Sequence, residues 1–486
     1  MNKISFGTDG WRGIIARDFT FDNVRLVTGA VAAYINSKGL GERGLVVGRD
    51  NRFLGEEFAE TVAEELNRQG ISAFMCCGAT PTPVTAYAIQ LKNAAGAIML
   101  TASHNPPVYN GFKFIPEYAG PALPHITKEI EKNIRRLQKG DPCDMRGLIP
   151  PEGRYGLLVE EMDARACERS DFHPFEPYVK HISEVVDLEM IGKAGLKVVI
   201  DPMYGAGIGY LEHILGQAGV QLEVFHNTRD PLFGGTLPEP SGKTLEELKN
   251  RVKAGNAHLG LALDGDADRF GIIDSNGEYI TPNQFLPLLY YHLNTARGWR
   301  GPVARTVATT HLLDRMAVRY GQEVYESPVG FKYIGQNMLE KNCVLGGEES
   351  GGLSIRGHIP EKDGILAGLL AAEMVARHGK SLSGILEDIY REFGWLYSER
   401  LDLHTTPEQK QEILDWLDRW EPRELAGQEV ARKITLDGIK LVLADGAWVL
   451  IRPSGTEPLF RIYVEANHME QKSQLQREVR ELLKIQ

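Results

Sequence analysis

The chain has 486 residues, of which 43% are hydrophobic and 24% are charged, and its formal net charge at pH 7 is −11. This composition is typical of a folded globular protein and excludes a chain that is disordered along most of its length. The length predicts several domains, and an acidic balance without a long basic run argues against a nucleic-acid-binding protein.

The first part of the chain alternates between helical and strand patterns. Apolar residues recur at helical spacing over 23–36 and 56–68, and short apolar runs that predict strands occur at 44–48, 71–77 and 94–100. This repeated order of strand, loop and helix predicts an α/β sheet. We assign residues 1–155 to the first domain.

The α/β pattern begins again after a polar stretch that contains several prolines and glycines. Strand-like runs occur at 196–201, 259–263 and 270–274, and Asn276–Gly277, a pair typical of hairpin turns, closes the last of them. We assign residues 156–275 to a second domain. Another strand-like run at 303–307 belongs to a third domain, which we assign to residues 276–385.

The C-terminal part of the chain has a different pattern. Alternating residues over 439–443, 447–451 and 460–466 predict antiparallel strands, and a terminal helix follows them. We assign residues 386–486 to a fourth domain. The predicted fold class is therefore α/β with four domains, three of them similar α/β domains with mixed sheets and the last a smaller α+β domain.

The most informative motif is the run Asp264-Gly265-Asp266-Ala267-Asp268 between two predicted strands. Three carboxylates in one tight loop suit Mg²⁺, because like charges this close repel each other unless a cation joins them. Arg269 and Ser275 exclude an EF-hand, since that motif needs glycine and glutamate at these positions. An aspartyl-phosphate nucleophile and a solvated acidic turn stay open as alternatives.

A second loop with chemical potential, residues 101–106, directly follows a buried strand. Its Ser103–His104 pair offers a nucleophile with a neighbouring group that can handle a proton, and an ordinary polar turn is the alternative. Asn110–Gly111 is predicted to turn the chain so that Lys113 returns beside Ser103.

Two further loops offer groups that suit an anion and a sugar, respectively. Residues 452–458 offer a guanidinium, two hydroxyls and exposed backbone N–H groups to an anion, and Arg461 offers a second guanidinium. Residues 346–352 set two glutamates and a serine between glycine pairs, which suits sugar hydroxyls. A plain turn is the alternative for each loop. The spacing of Gly205, Gly207 and Gly209 favours close strand–helix packing over dinucleotide binding.

The cysteines and the chain termini indicate the cellular setting. The five cysteines form no C-x-x-C motif, and Cys76 and Cys77 lie in an apolar run, so we expect buried free thiols and a reducing compartment. The N-terminus does not resemble a signal peptide, and no apolar stretch reaches the length of a membrane span. We therefore expect a cytoplasmic protein with no nucleic acid, membrane or obligate protein partner.

Taken together and in this order, these loops resemble the α-D-phosphohexomutase superfamily, which includes phosphoglucomutases and phosphomannomutases. The segments that carry the resemblance extend over the whole chain, at residues 6–13, 101–106, 264–269, 347–352 and 452–458. The resemblance implies four domains with the active site in a central cleft. It also implies an enzyme, a magnesium-dependent intramolecular phosphotransferase that acts on a phosphosugar.

The resemblance further implies roles for single residues. Ser103 is expected to carry a phosphoryl group, with Arg12, His104 and Lys113 around it to stabilise charge and transfer protons. One Mg²⁺ is expected to bind Ser103 together with Asp264, Asp266 and Asp268. The expected substrate contacts, of which the last five hold the non-reacting phosphate, are Arg269, His311, Lys332, Glu348, Ser350, Arg452, Ser454, Gly455, Thr456 and Arg461.

The expected reaction interconverts glucose 1-phosphate and glucose 6-phosphate, with glucose 1,6-bisphosphate as intermediate and activator. Glu348-Glu349-Ser350 resembles the glucose-selective branch of the family, whereas Gly352 stands where the mannose and glucosamine branches more often have histidine. The sugar therefore stays open, and phosphomannomutase is an alternative. A glucose-1,6-bisphosphate synthase with a donor such as fructose 1,6-bisphosphate would use the same site. A non-enzymatic phosphosugar-binding protein would be expected to have lost Ser103, Lys113 or the aspartate loop, and all are present.

Overall fold

The computed structural model describes residues 4–7, 9–139, 169–454 and 458–484. The chain divides into two compact units. The first unit comprises Met1–Tyr279 with Gly352–Gly379, and the second comprises Ile280–Gly351 with Lys380–Gln486. The strands of the described residues form four sheets, which follow one another along the chain.

The first sheet has the strand order β1-β5-β4-β2-β3-β6. Strands β2, β3, β4 and β6 run parallel, and β5 is antiparallel to both β1 and β4. The central strands are continuous apolar runs because helices cover both faces of a parallel sheet. The elements of this part are β1 (Trp11–Ile14), α1 (Phe21–Ser37), β2 (Leu45–Arg49), α2 (Gly55–Arg68), β3 (Ala73–Cys76), α3 (Thr82–Lys92), β4 (Gly96–Leu100), β5 (Tyr109–Pro116), α4 (Pro124–Gln138) and β6 (Arg169–Phe172).

The second sheet has the order β11-β10-β9-β7-β8, with β7 parallel to β8 and β9, and β10 antiparallel to β9. The predicted hairpin turn at Asn276–Gly277 is confirmed, since Gly277 has a φ of +81° that suits a tight turn. The elements are α5 (Phe175–Val185), α6 (Leu188–Lys193), β7 (Lys197–Asp201), α7 (Tyr210–Gln217), β8 (Gln221–Val224), α8 (Glu246–Ala254), β9 (Leu259–Leu263), β10 (Phe270–Asp274) and β11 (Tyr279–Ile280).

The third part of the chain contributes to both units. In the second unit, β12 pairs in parallel with β13 and with β14. The following strand and helix, β15 and α12, belong to the first unit, where α12 packs against β9, β10 and α7. The elements are α9 (Pro282–Thr295), β12 (Val303–Thr306), α10 (Leu312–Tyr320), β13 (Val324–Ser327), α11 (Phe331–Lys341), β14 (Leu345–Glu348), β15 (Gly352–Ile355), α12 (Gly364–His378) and α13 (Leu382–Phe393).

The C-terminal part is a sheet of order β16-β21-β20-β19-β18-β17, in which the neighbouring strands are antiparallel. The prediction of α/β sheets followed by a smaller antiparallel domain is thus confirmed, whereas the four domain boundaries and the central cleft stay predictions. The elements are β16 (Tyr397–His404), α14 (Pro407–Leu417), β17 (Glu424–Leu425), β18 (Gln428–Ile434), β19 (Ile439–Leu443), β20 (Trp448–Pro453), β21 (Leu459–Ala466) and α15 (Met469–Leu483).

The cysteines of the described residues are free thiols. Cys76 and Cys343 are buried and Cys77 is partly exposed, while Cys143 and Cys167 lie outside the described residues. Burial raises the pKa of the Cys76 thiol to about 12, which makes it unreactive at neutral pH. Among the residues that the structure describes, no helix has the length and apolar character needed to cross a bilayer.

A chain of hydrogen bonds joins α5 to the start of α12 in the first unit. Tyr178 Oη donates to Asp363 Oδ2 over 2.6 Å, and His358 Nε2 lies 2.9 Å from the same oxygen. His181 Nε2 lies 2.9 Å from His358 Nδ1. Burial and the neighbouring His358 lower the pKa of His181 from 6.5 to about 4.

This histidine should make the first unit sensitive to acid. Between pH 6.5 and 4 the unfolded chain binds a proton at His181 that the folded chain does not bind. The free energy of unfolding therefore decreases as the pH is lowered through this window. Because His181 is partly exposed, we expect a loss of about 1–2 kcal/mol rather than the full value of the shift. The acid-induced fall in the melting temperature should be smaller by a few degrees in His181→Gln than in the wild type.

The comparison is made by thermal unfolding at pH 7 and pH 4.5. A matched control is His125→Gln, which removes an exposed histidine from α4 of the same unit. Equal falls in His181→Gln and the wild type would contradict the expectation.

Candidate active site

Ser103 lies in the loop between β4 and β5, at the edge of the first sheet where the parallel strands β2 and β4 end. The side chain is buried, and Ser103 Oγ donates to Asp264 Oδ2 over 2.8 Å and lies 3.2 Å from His104 Nδ1. The residue has a φ of 51°, a left-handed conformation that is uncommon for serine and costs about 1 kcal/mol or more. The loop therefore holds a buried hydroxyl in a strained and defined position.

The three aspartates of the predicted metal loop lie between β9 and β10 and are buried. One carboxylate oxygen from each of Asp264, Asp266 and Asp268 can be chosen so that all lie within 4.8 Å of one another. Gly265 allows the metal loop to approach the loop that contains Ser103 (residues 101–106, the serine loop), because a Cβ at this position would lie 2.6 Å from the carbonyl oxygen of Ser103.

This donor set fits Mg²⁺. The Oδ1 atoms of Asp266 and Asp268 are buried and have no hydrogen-bond partner among the described residues. Buried carboxylate oxygens without partners are costly, and a hard cation that takes oxygen ligands would satisfy them. The cluster thus agrees with the predicted metal loop and gives no support to a solvated acidic turn.

Burial and the neighbouring charges shift the pKa values of this cluster in opposite directions. Burial, with the charges of Asp266 and Asp268, raises the pKa of Asp264 well above its usual range. Burial also opposes ionisation of Asp266, but the Lys113 ammonium outweighs it and lowers the pKa of that carboxyl. Such opposed shifts in neighbouring acids are typical of functional sites.

Lys113 is the main cation of the first unit's site. Its Nζ lies 2.9 Å from Asp9 Oδ2, 2.8 Å from Asp266 Oδ2 and 2.9 Å from Asp268 Oδ2. Burial acts to lower the pKa of Lys113, but these carboxylates outweigh it and raise the pKa above its usual value. Lys113 lies on β5 opposite Met99 of β4, so the predicted return of the chain towards the serine loop is correct.

The route of that return differs from the prediction. Asn110 and Gly111 lie inside β5 rather than in a turn, and the chain reverses over residues 101–108. Gly111 is needed for close strand packing, because a Cβ there would lie 2.3 Å from the carbonyl oxygen of Thr101. Likewise, a Cβ on Gly205 would lie 2.9 Å from the carbonyl oxygen of Asp264, so this glycine packs against the metal loop rather than at the predicted strand–helix contact.

Several contributors to this site were not predicted from the sequence. Lys362 Nζ lies 3.0 Å from Asp9 Oδ2 and 3.1 Å from Asp268 Oδ2, so it is a second ammonium in the cluster. Thr82 Oγ1 donates to Asp266 Oδ2 over 2.6 Å. Asp9 lies within a segment that carried the resemblance, whereas Lys362 and Thr82 have no local signal and come close through the fold.

The remaining predicted residues of the first unit surround the same cluster. Arg12 Nη1 donates to Asn105 Oδ1. The Arg269 backbone N–H donates to Asp264 Oδ1 over 3.0 Å, and its guanidinium Nε lies 4.0 Å from Asp268 Oδ1. The positive charge of Arg269, together with burial, lowers the pKa of His104 well below its usual value. The His104 imidazole is therefore neutral at neutral pH.

The predicted sugar loop, residues 346–352, begins inside β14 of the second unit, and Glu348 is the last residue of that strand. Glu348 is buried, and its Oε1 accepts a hydrogen bond from Ser350 Oγ over 2.7 Å. The next glutamate, Glu349, accepts from the Thr306 hydroxyl over 2.7 Å through its Oε2. Lys332 lies in the first turn of α11, with Nζ 5.5 Å from the centre of the Tyr333 ring.

His311 lies in a cluster of buried polar groups in the second unit. Its Nε2 is 2.8 Å from Lys440 Nζ, its ring packs against Trp448, and its backbone N–H donates to Glu465 Oε1 over 2.8 Å. Burial and the charge of Arg305 lower the pKa of His311 well below its usual value and lower the pKa of Lys440 to about 8. The contacts with Lys440 and Trp448 hold the His311 ring against β19 and β20.

The predicted phosphate loop, residues 452–458, begins with the last two residues of β20. Arg452 and Arg461 are directly opposite each other on β20 and β21, so their side chains extend from the same face of the sheet. Arg452 Nε donates to Asp437 Oδ2 over 2.9 Å. Ser454 is buried, and its carbonyl oxygen accepts from Lys410 Nζ over 2.5 Å. The predicted contacts Gly455 and Thr456 lie outside the described residues.

A buried serine beside three buried aspartates and two lysines, at the edge of an α/β sheet, is the arrangement of a magnesium-dependent phosphotransferase. Comparison with known proteins agrees with this class. Models of the phosphoglucomutase/phosphomannomutase domains match in order along the chain: α/β/α domain I over residues 3–141, domain II over 176–277, domain III over 281–393 and the C-terminal domain over 417–482. The chain therefore belongs to the phosphoglucomutase/phosphomannomutase family of the α-D-phosphohexomutase superfamily, and it is a phosphohexomutase-type enzyme.

The known proteins that this chain is similar to are named for different phosphosugar substrates. The chain is 30% identical to a phosphoglucomutase of Komagataeibacter xylinus, covering 96% of this chain and 87% of that protein. It is 31% identical to a phosphoglucomutase/phosphomannomutase of Thermococcus kodakarensis, covering 97% and 96%. It is 29% identical to a phosphoglucosamine/phosphogalactosamine mutase of Sulfurisphaera tokodaii, covering 96% of each. The open form of parafusin, a phosphoglucomutase from Paramecium, shares the fold, with a TM-score of 0.79, 23% identity and coverage of 99% and 94%.

Proposed function

We propose that the enzyme interconverts glucose 1-phosphate and glucose 6-phosphate through a phosphorylated Ser103 and a glucose 1,6-bisphosphate intermediate. The observation that carries this proposal is the buried Ser103 hydroxyl 2.8 Å from Asp264, within the cluster of three aspartates. A hydroxyl in this position suits a group that accepts and returns a phosphoryl group beside a divalent cation.

The groups around Ser103 have complementary tasks in this mechanism. Asp264, Asp266 and Asp268 would hold Mg²⁺ together with a phosphoserine oxygen, and the ion would supply charge neutralisation for the phosphoryl group. The ammonium of Lys113 balances the charge that remains, and Arg12 and Arg269 add positive potential.

The transfer itself exchanges one phosphorus–oxygen bond for another. A free sugar hydroxyl attacks phosphorus and the bond to Ser103 Oγ breaks, while the hydroxyl proton passes to the neutral His104 imidazole, which lies beside Ser103 Oγ and returns the proton to that oxygen. The bisphosphorylated sugar then turns over and returns its other phosphate to Ser103. The net result is isomerisation without net consumption of phosphate.

The second unit contains the groups that the proposed reaction assigns to the sugar hydroxyls and to the non-reacting phosphate. Glu348 and Ser350 are proposed to contact sugar hydroxyls, with Lys332 and His311 as further contacts. Arg452 and Arg461 extend from the same face of the sheet, which suits a cradle for the non-reacting phosphate. Ser454, Gly455 and Thr456 complete the proposed cradle with hydroxyl and backbone N–H donors.

Arg452→Ala should weaken substrate binding more than it affects metal binding. Loss of a charge-assisted hydrogen bond to phosphate costs about 1.5–3 kcal/mol, so we expect KM for glucose 1-phosphate to rise about 10- to 100-fold. Steady-state kinetics and Mg²⁺ titration measure the two effects separately. The exposed Arg419, whose Nε donates to the Asp415 carbonyl, offers the control Arg419→Ala. An unchanged KM in Arg452→Ala would assign the phosphate contact to other residues.

The choice of glucose as the substrate sugar is a proposal that rests on the glutamates of residues 346–352. The names of the relatives also include mannose and glucosamine phosphates. The test compares kcat/KM for glucose, mannose and glucosamine 1-phosphates under identical conditions, with the cognate bisphosphate as primer. A higher value for glucose supports the proposal, and a higher value for another sugar would replace it. We also propose that the enzyme works in the cytoplasm on small phosphosugars without an obligate protein partner.

A further inference from the structure

Arg52 lies three residues after the end of β2, at the sheet edge where the serine loop follows β4. Its side chain is fully buried, as is that of its ion-pair partner Asp50. The guanidinium has five N–H donors, and each one has an acceptor. Nε donates to Asp50 Oδ2 over 3.1 Å, and the other four N–H groups donate to the backbone carbonyls of Ser103, Asn105, Pro106 and Tyr109 at 2.6, 2.7, 2.9 and 2.9 Å.

The same pair of residues also holds the N–H side of Ser103. The Thr101 hydroxyl accepts from the Ser103 backbone N–H over 2.8 Å and donates to Asp50 Oδ2 over 2.6 Å. The carbonyl of Ser103 is held by Arg52, so Asp50 and Arg52 act on both backbone groups of this residue. These bonds oppose relaxation of the left-handed φ of 51° at Ser103.

We propose that Arg52 is a positioning residue for phosphoryl transfer, because its guanidinium holds the backbone that sets the place of Ser103 Oγ at the metal loop. This inference rests on the proposed role of Ser103 as the phosphoryl carrier. The Phe233 ring lies 5.0 Å from the guanidinium carbon and shields it from water, which strengthens its bonds to the carbonyls. Arg52 thus acts through the loop and does not touch the substrate.

Lysine is the informative replacement at this position. It keeps the positive charge and the aliphatic stem, so the charge opposite Asp50 is retained. Its ammonium, however, offers three donors from a single point and does not reach four carbonyls and a carboxylate at once. Arg52→Lys therefore removes the fork while leaving the local charge in place.

The test compares kcat, KM and the melting temperature of Arg52→Lys with those of the wild type. A displacement of about 1 Å in reacting groups costs about 100-fold in rate, so we expect kcat to fall about 100-fold with KM changed less than about threefold. The control is Arg43→Lys at the opposite edge of the same sheet, where the guanidinium donates to the carbonyls of Asn93 and Ala94. Arg43→Lys should leave both kinetic constants unchanged.

A role in stability alone would lower the melting temperature of Arg52→Lys but leave kcat normal in assays run well below it, and this result would overturn the proposal. If Arg52→Lys does not fold, the same measurements are made on Asp50→Asn, which replaces the carboxylate that holds Arg52 Nε with a neutral amide. A normal kcat in Asp50→Asn would then overturn the proposal.

The positioning role of Arg52 and the phosphoryl-carrier role of Ser103 are contradicted by different experimental results. If Ser103→Ala is inactive and Arg52→Lys is fully active, the positioning role is wrong and the proposed function stands. If Ser103→Ala keeps its activity, the phosphoryl-carrier role is wrong and the positioning role falls with it.

Discussion

Replacing Ser103 with alanine is expected to lower the turnover of glucose 1-phosphate by at least about 10⁴-fold, since removal of a nucleophile leaves no atom to carry the transferred group. The fold should tolerate the change. The serine loop is held through its backbone by Thr101 and Arg52, and these bonds do not involve Oγ. Loss of the hydrogen bond to Asp264 should cost about 1 kcal/mol of stability.

The covalent role is measured apart from turnover by intact-protein mass spectrometry after incubation with glucose 1,6-bisphosphate. The wild type should gain one phosphoryl group and Ser103→Ala should gain none. Ser183→Ala is a suitable control, because the Ser183 hydroxyl bonds to the Val179 carbonyl of its own helix. Full activity of Ser103→Ala would exclude a phosphoserine mechanism.

The second large effect is expected at the metal loop. Asp266→Asn should weaken Mg²⁺ binding by at least about 100-fold and lower kcat by a similar factor at fixed Mg²⁺. The amide keeps one oxygen, whereas Asp266 uses Oδ2 to accept from both Lys113 and Thr82 and leaves Oδ1 for a further partner. The variant therefore loses the negative charge of the carboxylate and, in addition, either the oxygen left for the cation or the acceptor of Lys113 and Thr82.

Isothermal titration of Mg²⁺ or Mn²⁺ into the purified variant measures this effect without reference to activity. Asp201→Asn is the matched control, since Asp201 is a buried carboxylate at the end of the neighbouring strand β7 and pairs with His226 over 3.1 Å. Metal affinity should be normal in Asp201→Asn. Normal affinity in Asp266→Asn would mean that the cation binds elsewhere.

The loops of this site could be predicted where the signal is local in the sequence. An apolar strand leads directly into the run Asp264-Gly265-Asp266-Ala267-Asp268. This pattern predicts both the end of the strand and the carboxylate cluster, and Ser103 follows its strand in the same way. The boundaries of β9 and β10 agree with the predicted strands because short apolar runs between polar loops have few alternative ends.

The residues that escaped prediction act through contacts between distant parts of the chain. Lys362 pairs with Asp9, which is far away in sequence, and its own neighbourhood reads as the start of a helix. The local sequence does not distinguish Arg49 from Arg52. In the structure, however, Arg49 pairs with Glu56, while Arg52 is fully buried against backbone carbonyls. Burial of a guanidinium depends on the completed sheet edge, and no local pattern reports it.

The substrate contacts were predictable to different degrees. The sequence pattern assigns Arg452 to the loop after the predicted strand at 447–451, whereas the structure places it inside β20, opposite Arg461 of β21. His311 was expected as a substrate contact, but its packing against Trp448 and its bond with Lys440 depend on the approach of β19 and β20. The choice of sugar depends on a few loop residues, so sequence pattern alone does not decide it.

The proposed reaction is tested most directly by ³¹P NMR of the wild-type enzyme with Mg²⁺ and glucose 1-phosphate, primed with a trace of glucose 1,6-bisphosphate. A mutase is expected to give a growing glucose 6-phosphate signal while the bisphosphate stays at its trace level. If no isomerisation occurs and the bisphosphate accumulates when fructose 1,6-bisphosphate is added, the enzyme is a bisphosphate synthase and the proposed mutase reaction is contradicted.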